Sequence, residues 1–461
     1  MADSNYILAG YETLGTYFKN FCLKNLQNNW EDNFTPEILS NFLSNTCHGF
    51  LHSFGQNFTG KKNYKNYVQS EVKVFTENRN YGIFDNCNFI ADSGGFQASI
   101  GRIDEHETEN LINLYHEFLE FNHQCIDRAF ILDLPPGPGC KLFKNFDDIF
   151  YGNERTYNLA KNLPKEVRDK VIYIHHFRTP KLWDIFTDLL NQDGMFDAFQ
   201  HFGTGGIVAN MSGDSTPCII YVLPLIPLLK KAKAAGRKEL DFHILGGANF
   251  RDIFFYEMFQ KVVKETHDIE LRISYDSSGV FKGLMRGRTM FILDDDEIVK
   301  KVDMRSNTLK QHFGNRMTTE DVVKHKIDDM SDRFDLKRIS NFEIYNEGTG
   351  TFPDNFRMYA AMLVLRTYAD VQLMLRRKAN EIYPVYQSGD LEEFVIQCAQ
   401  VTQNVNQGKI TRKQKAKTHS IINSIKMLID LDEDFCKYIV NKHLAKDEFL
   451  DLDHTRKVWV F

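Results

Sequence analysis

Eight short runs of apolar, β-branched or aromatic residues recur along the chain as far as Asp276, with helix-patterned segments between them. The runs are Tyr6–Gly10, Cys47–Ser53, Asn88–Asp92, Ala129–Asp133, Val171–His175, Phe196–Phe202, Phe242–Gly246 and Leu271–Asp276. Their starts lie roughly 25 to 46 residues apart, which leaves room for one helix and two loops per unit. Between them, Glu107–Phe121, Thr179–Leu190, Pro224–Ala235 and Arg251–Glu265 carry apolar residues at helical spacing. Strand and helix alternating eight times predicts an α/β fold, a (β/α)8 barrel; an open doubly wound sheet would use the same elements. Past Asp276 the rhythm changes. Thr289–Leu293 reads as one more strand, followed by an acidic turn, Asp294–Glu297. From Asn355 the pattern is helical, over Met358–Arg377, Leu391–Val401, Lys413–Leu428 and Asp434–His443, with Asp390 and Glu393 placed as a capping box. The expected organisation is a catalytic barrel over 1–315 and a mostly helical region over 316–461.

Composition narrows the class of protein. Of the 461 residues, 43% are hydrophobic and 26% charged, ordinary values that exclude a disordered or low-complexity chain. No apolar stretch reaches the ~18 residues of a membrane span. Met1 to Asn5 carry no basic-then-apolar pattern, so no secretory signal is expected and the expected location is the cytoplasm. The eight cysteines are scattered without a CxxC pair, as suits reduced thiols. A net charge of −6 argues against a protein that coats polyanions non-specifically, while leaving room for a local basic groove.

In a barrel the C-terminal strand ends carry the site. Here they hold Asp92-Ser93-Gly94-Gly95-Phe96-Gln97, Asp133-Leu134-Pro135-Pro136-Gly137, His175-His176, Gly203-Thr204-Gly205-Gly206, Gly246-Gly247 and Asp276-Ser277-Ser278-Gly279. Any one carboxylate at such a place also serves as a helix cap. Three together repel one another unless a substrate or neighbouring donors compensate them. Glycine pairs let backbone N–H groups come close to a ligand, although in a βα loop they also make tight turns. A flat heterocycle with several donors and acceptors matches such a rim. No GxGxxG or Walker pattern is present, so a dinucleotide or nucleoside triphosphate is not indicated.

The stretch Asp92-Ser93-Gly94-Gly95-Phe96-Gln97 resembles the DSGGFQ motif of the tRNA-guanine transglycosylase superfamily. In the same order, Phe196-Asp197-Ala198-Phe199 leading to Gly205-Gly206-Ile207 is similar to that family's FDGF…GGL segment. His243-Ile244-Leu245-Gly246-Gly247 resembles its LMGVG strand, and Tyr275-Asp276 the FD that carries its nucleophile. Arg286-Gly287-Arg288 and Gly389–Phe394 extend the resemblance over roughly Tyr6 to Phe394. It implies that Asp276 attacks the sugar C1′ and displaces guanine, and that Asp92 is the acid/base. Asp133 would hold the amino and ring N–H edge of the base, Gly206 would offer an N–H to its carbonyl, and Phe96 would stack on the ring. Ser93, Gly95, Gly205, Leu245 and Gly246 complete the implied substrate-binding set. His175 or His176, with His176 preferred, replaces a base-contacting glutamine, although a strand histidine is as often a satisfied core group. Arg286 and Arg288 would grip phosphates, or are ordinary exposed arginines.

The tRNA enzymes of this family carry a CxCxxC and histidine zinc site after the nucleophile. This chain has only Cys398 and Cys436 there, so no metal and no cofactor are expected. Asp294–Glu297 reads as a solvated acidic turn rather than a Mg2+ site. The missing zinc motif, the helical tail and the Phe- and Asn-rich composition look more like the DNA-acting branch, in which a 7-deazaguanine base of the prequeuosine type replaces guanine in bacterial or phage DNA. DNA and the free deazaguanine are then the expected partners, in a host cytoplasm if phage-encoded, with tRNA the alternative polymer. A homodimer or an accessory protein is left open. The basic stretch Lys409–Lys417, including Lys413, would follow a backbone unless it is simply a solvated face. Phe54, Asn57, Phe58, Tyr64 and Tyr67 would hold open the gap left by a flipped base, or cover a loop core. Alternatives of other classes are a catalytically silent nucleic-acid-binding barrel and a glycoside or nucleoside hydrolase using the same carboxylates.

Overall fold

A computed structural model describes residues 5–9, 36–58, 65–80, 82, 86–136, 142–177, 179–205, 217–277, 289–294, 296–303, 354–406 and 412–443. Eight parallel strands close into a barrel in sequence order: β1 (Tyr6–Ala9), β2 (Gly49–Ser53), β3 (Asn88–Asp92), β4 (Arg128–Phe130), β5 (Val171–His176), β6 (His201–Gly205), β7 (Glu239–Ile244) and β8 (Glu270–Asp276). Closure is made by β1, whose Ile7 lies opposite both Gly49 of β2 and Asp276 of β8. The barrel therefore prevails over the open sheet, and this eight-stranded sheet has no free edge.

Side chains alternate in and out along each strand. On β8, Leu271, Ile273 and Tyr275 are buried toward the helices, while Ser274 and Asp276 turn to the interior and meet His243 of β7. The interior is polar at its base. Arg272 donates to Asp241 (2.6 Å) and Glu239 (2.7 Å), and His201 pairs with Asp241 at 2.9 Å. Burial pushes the Asp241 carboxyl up, but hydrogen bonds from His201 and Arg272 outweigh it and hold the group well below the usual carboxylate range.

Two strands differ from the sequence reading. The apolar run Phe196–Phe202 is split: Met195–Ala198 is a helical turn and β6 begins only at His201. Phe196 folds back to stack on Phe202, their rings 5.2 Å apart, and Arg237 lies over the Phe196 ring at 4.1 Å. One continuous apolar string thus serves two elements that pack on each other. Pairing in β4 stops at Phe130, short of the expected Asp133. There Asp133 N–H donates to the Ile131 carbonyl (2.9 Å), a tight turn that re-aims the carboxylate.

After β8 a hairpin intervenes, β9 (Thr289–Leu293) against β10 (Val299–Asp303), with Leu293 opposite Val299. Asp294 closes its turn by accepting the Ile298 N–H (2.8 Å) and pairing with Lys300 (2.6 Å). The cover over β8 and β1 comes from the Asp354–Gln387 helix. Its Tyr368 stacks on Tyr6 at 4.4 Å, and its fully buried Gln372 accepts the Tyr275 hydroxyl (2.8 Å). This helix outlasts the expected Arg377 because Ala379, Ile382 and Tyr383 carry its buried face onward. Leu391–Val405, Arg412–Asp430 and Glu433–His443 follow. Asp390 caps the first by accepting the Glu393 N–H (3.1 Å), but the Glu393 carboxylate accepts from Gln397 (2.7 Å) instead of closing the expected capping box. The expected division at residues 315 and 316 lies outside the described residues. No helix among the described residues is long and apolar enough to cross a membrane.

Two glycines test how far close approach governs this architecture. Gly94 has φ +89°, and a Cβ there would sit 2.4 Å from the Cα of Gly55; Gly389 has φ +85° with nothing within 4 Å of the same atom. Gly94→Ala is expected to cost about 3 kcal/mol or more, from backbone strain and overlap together. Gly389→Ala, with strain alone, is expected to cost about 1 kcal/mol. Urea unfolding of the two variants gives the comparison, and equal losses would refute the role of the Gly55–Gly94 contact.

Candidate active site

The carboxylates of the sequence reading converge because three C-terminal strand ends share one barrel mouth. Asp92 ends β3. Burial pushes its pKa up to about 6; the Ser53 hydroxyl from the neighbouring β2 pulls it down, Asp133 pushes it up, the Gly94 N–H (3.5 Å) pulls it down, and Asp276 pushes it up. The charges of Asp133 and Asp276 thus both reach it. Behind the pair of strands, the Tyr115 hydroxyl donates to the Phe130 carbonyl (2.7 Å).

Asp133 is fixed from both sides. Downstream, fully buried Asn153 clamps Leu134, accepting its N–H (2.8 Å) and donating to its carbonyl (3.1 Å). Across the mouth, Asp133 Oδ2 is in short hydrogen-bond contact with His176 Nε2. The His176 ring packs edge-on to Phe186 (4.9 Å) and occupies the space above Gly205, where a Cβ would stand 2.6 Å from its Cε1. Of the two adjacent histidines, His176 therefore faces the mouth. His175 turns outward to Thr187 (3.0 Å), and burial lowers its pKa to about 3.

Asp276 is 6% exposed, and its contacts among the described residues fall on Oδ1: the Gly246 N–H at 2.8 Å and His243 Nε2 at 3.2 Å. His243 Nδ1 in turn meets Ser274 Oγ at 3.0 Å. With Asp276 ionised, Nε2 carries the proton and Nδ1 accepts from Ser274. The carboxylate is thereby held by one oxygen, and no described residue bonds Oδ2. His243 was not singled out in the sequence, although the signal was there: it precedes Leu245 by two residues, so strand alternation places both on the inner face.

Other assigned residues fall into place differently. Gly205, Leu245 and Gly246 lie at the mouth with the acids. Ser93 is fully buried, and its hydroxyl accepts the Gly95 N–H (3.3 Å), so it shapes the turn instead of facing the cavity. Gly95 lacks a Cβ because one would lie 2.0 Å from the Asp133 carbonyl oxygen; the close approach it permits is of one protein loop to another. Phe54, Phe58 and Tyr67 are buried and pack on one another, with Phe54 also against Tyr115 and Phe118. They belong to the core and hold no gap open, because too little of any of them reaches solvent. Gly206, Arg286, Arg288 and Tyr64 lie outside the described residues, as do the side chains of Phe96, Asn57 and Lys413; Phe96 and Lys413 fall within the Gly95–Ser99 and Arg412–Asp430 helices. Among the described residues no three histidine, cysteine or acidic side chains gather as a metal site. No family model, curated protein or solved structure matches this chain.

The Asp92 environment has a consequence for stability. Its folded-state pKa of about 6 lies above the ordinary 3.8, so it favours the folded state below pH 4 and loses that contribution as pH rises through 6. Wild-type stability relative to Asp92→Asn is expected to fall by on the order of 2 kcal/mol between pH 4 and 7, allowing for partial exposure of the group. Urea titrations of both proteins across that range measure it; parallel curves would show that the carboxyl is not perturbed.

Proposed function

We propose that this protein is a guanine transglycosylase that exchanges guanine in DNA for a 7-deazaguanine base through a covalent glycosyl-aspartate. One observation carries the reading: at a single barrel mouth, Asp276 presents an oxygen that no described residue holds, while Asp92, whose pKa is raised to about 6 chiefly by burial, has both its protonated and its ionised form within reach of neutral pH. Those are the two states that a displacement and its reversal require. Asp276 Oδ2 attacks C1′ as the C1′–N bond to guanine breaks, and the Asp92 proton passes to the departing base. The incoming deazaguanine then gives its ring N–H proton to the Asp92 carboxylate, and its nitrogen displaces Asp276, regenerating the free enzyme.

Positive charge that builds on the sugar in each step is met by a carboxylate, which lowers the barrier electrostatically. Two displacements return the original anomeric face. Proton transfer by Asp92 would supply about 10²–10⁴-fold. Asp133, oriented by His176, would accept from the amino and ring N–H edge of the base. A duplex substrate requires the nucleotide to be flipped out, at a cost of a few kcal/mol. The choice of DNA over tRNA rests on the absent CxCxxC motif and the added helices.

Two measurements test the proposal. Asp276→Asn is expected to reduce covalent trapping on a guanine-containing oligonucleotide by at least about 10³-fold with binding retained, and an adduct that survives would remove Asp276 from its role. Labelled guanine should enter DNA and not tRNA. Uptake into tRNA alone would transfer the activity to the other polymer, and guanine release without uptake would make the protein a hydrolase.

A further inference from the structure

The nucleophile's surroundings are tied to a segment some hundred residues further along the chain. Tyr368 of the Asp354–Gln387 helix donates its hydroxyl to the Ala248 carbonyl (2.9 Å), two residues beyond the Gly246 N–H that holds Asp276. Tyr256 secures the intervening residue, donating to the Gly247 carbonyl (2.8 Å). The Tyr368 ring also stacks on Tyr6, whose hydroxyl donates to the carbonyl of Ser277, immediately after Asp276. Gln372, one helical turn on, accepts the hydroxyl of Tyr275, immediately before Asp276, and the backbone N–H of Asn5 (2.6 Å). Its amide nitrogen donates to buried Glu257 (2.7 Å), which also pairs with Arg376 (3.1 Å). Every one of Tyr6, Tyr256, Tyr275, Tyr368 and Gln372 is at most 1% exposed.

We propose that the Asp354–Gln387 helix is a positioning element of the catalytic site, Tyr368 and Gln372 setting the Gly246 loop and both backbone neighbours of Asp276 so that Oδ1 is held and Oδ2 is aimed. This rests on the transglycosylase reading for its kinetic consequence, but not for its structural one. A helix that merely covered β8 and β1 would need apolar contact alone. Instead, the helix spends the Tyr368 hydroxyl on Ala248 and the Gln372 amide on Tyr275. Tyr6, on which Tyr368 stacks, bonds Ser277, and Tyr256 bonds Gly247, so all four contacts fall within two residues of the nucleophile or of the N–H that binds it. A shift of about 1 Å at a reacting group costs on the order of 10²-fold in rate, so the precision has a use.

Conservative variants separate positioning from packing. Tyr368→Phe keeps the ring on Tyr6 and removes the bond to Ala248; Tyr6→Phe keeps the same stack and removes the bond to Ser277. Both should remain folded, and the double variant is expected to form the covalent adduct at least tenfold more slowly in single turnover, with KM for the oligonucleotide unchanged. Leu373→Ala, on the exposed side of the same helix, should leave the rate as it is. Hydrogen exchange at the Gly246 amide gives a readout that needs no activity. Labelling with 13C-leucine and 15N-glycine singles out the Leu14–Gly15 and Leu245–Gly246 amides, the latter recognised by its response to Asp276→Asn. Its exchange should accelerate at least tenfold in the double variant and stay unchanged in Leu373→Ala. Unaltered Gly246 exchange in a folded double variant would overturn the proposal whatever the activity. If the wild-type protein forms no adduct, the transglycosylase reading fails and the amide measurement alone decides the role of the helix.

Discussion

Three carboxylates brought to one barrel mouth repel one another and lose water together, and the rest of the site is arranged around that cost. A buried acid keeps its charge only when donors or opposite charges replace the solvent. Asp276 receives the Gly246 N–H and His243, and Asp133 receives His176. Asp92 has the weakest support, a long contact from the Gly94 N–H and the Ser53 hydroxyl, and burial carries its pKa up to about 6. Unequal compensation divides three chemically alike groups into different roles. Asp276 and Asp133 each have a histidine partner, whereas Asp92 has none among the described residues and shows the raised pKa.

The glycines of the rim follow from the same crowding. Gly94 lies against Gly55, Gly95 against the Asp133 carbonyl and Gly205 against the His176 ring, each at a distance that a Cβ would close below 3 Å. Their absent side chains let the loops after β2, β3 and β4, and the ends of β5 and β6, lie close against one another. The acids are aimed by this nesting, since loops held at such short range have little freedom to move apart. Ser93, Gly94 and Gly95 of the DSGG sequence thus act as a packing device.

Much of this was legible in the chain because it depends on local spacing. The alternation of strand and helix patterns, the capping residue Asp390 and the acids Asp92 and Asp276 at strand ends are each set by residues within a few positions of one another, and the structure carries them, while Asp133 lies three residues past the end of β4. What misled were strings whose local pattern serves two elements. Phe196–Phe202 reads as one apolar run, yet its first and last phenylalanines stack on each other across a helix–strand junction. Phe54, Phe58 and Tyr67 can be read as rim residues or, as is commoner for such aromatics, as the cover of a loop core, and the neighbouring Phe118 and Tyr115 decide for core.

The sequence by itself determined the kind of fold and which residue types stand at the strand ends, because hydrophobic period and turn chemistry act over short range. Only the tertiary structure decided which of them meet: His176 with Asp133, His243 with Asp276, Tyr368 with Ala248 and Gln372 with Tyr275. Those contacts join positions from 33 to more than 100 residues apart, and their geometry is set by barrel closure and by strand register. No local pattern encodes either, since the residue opposite a given side chain is chosen by how the whole sheet curls back on itself.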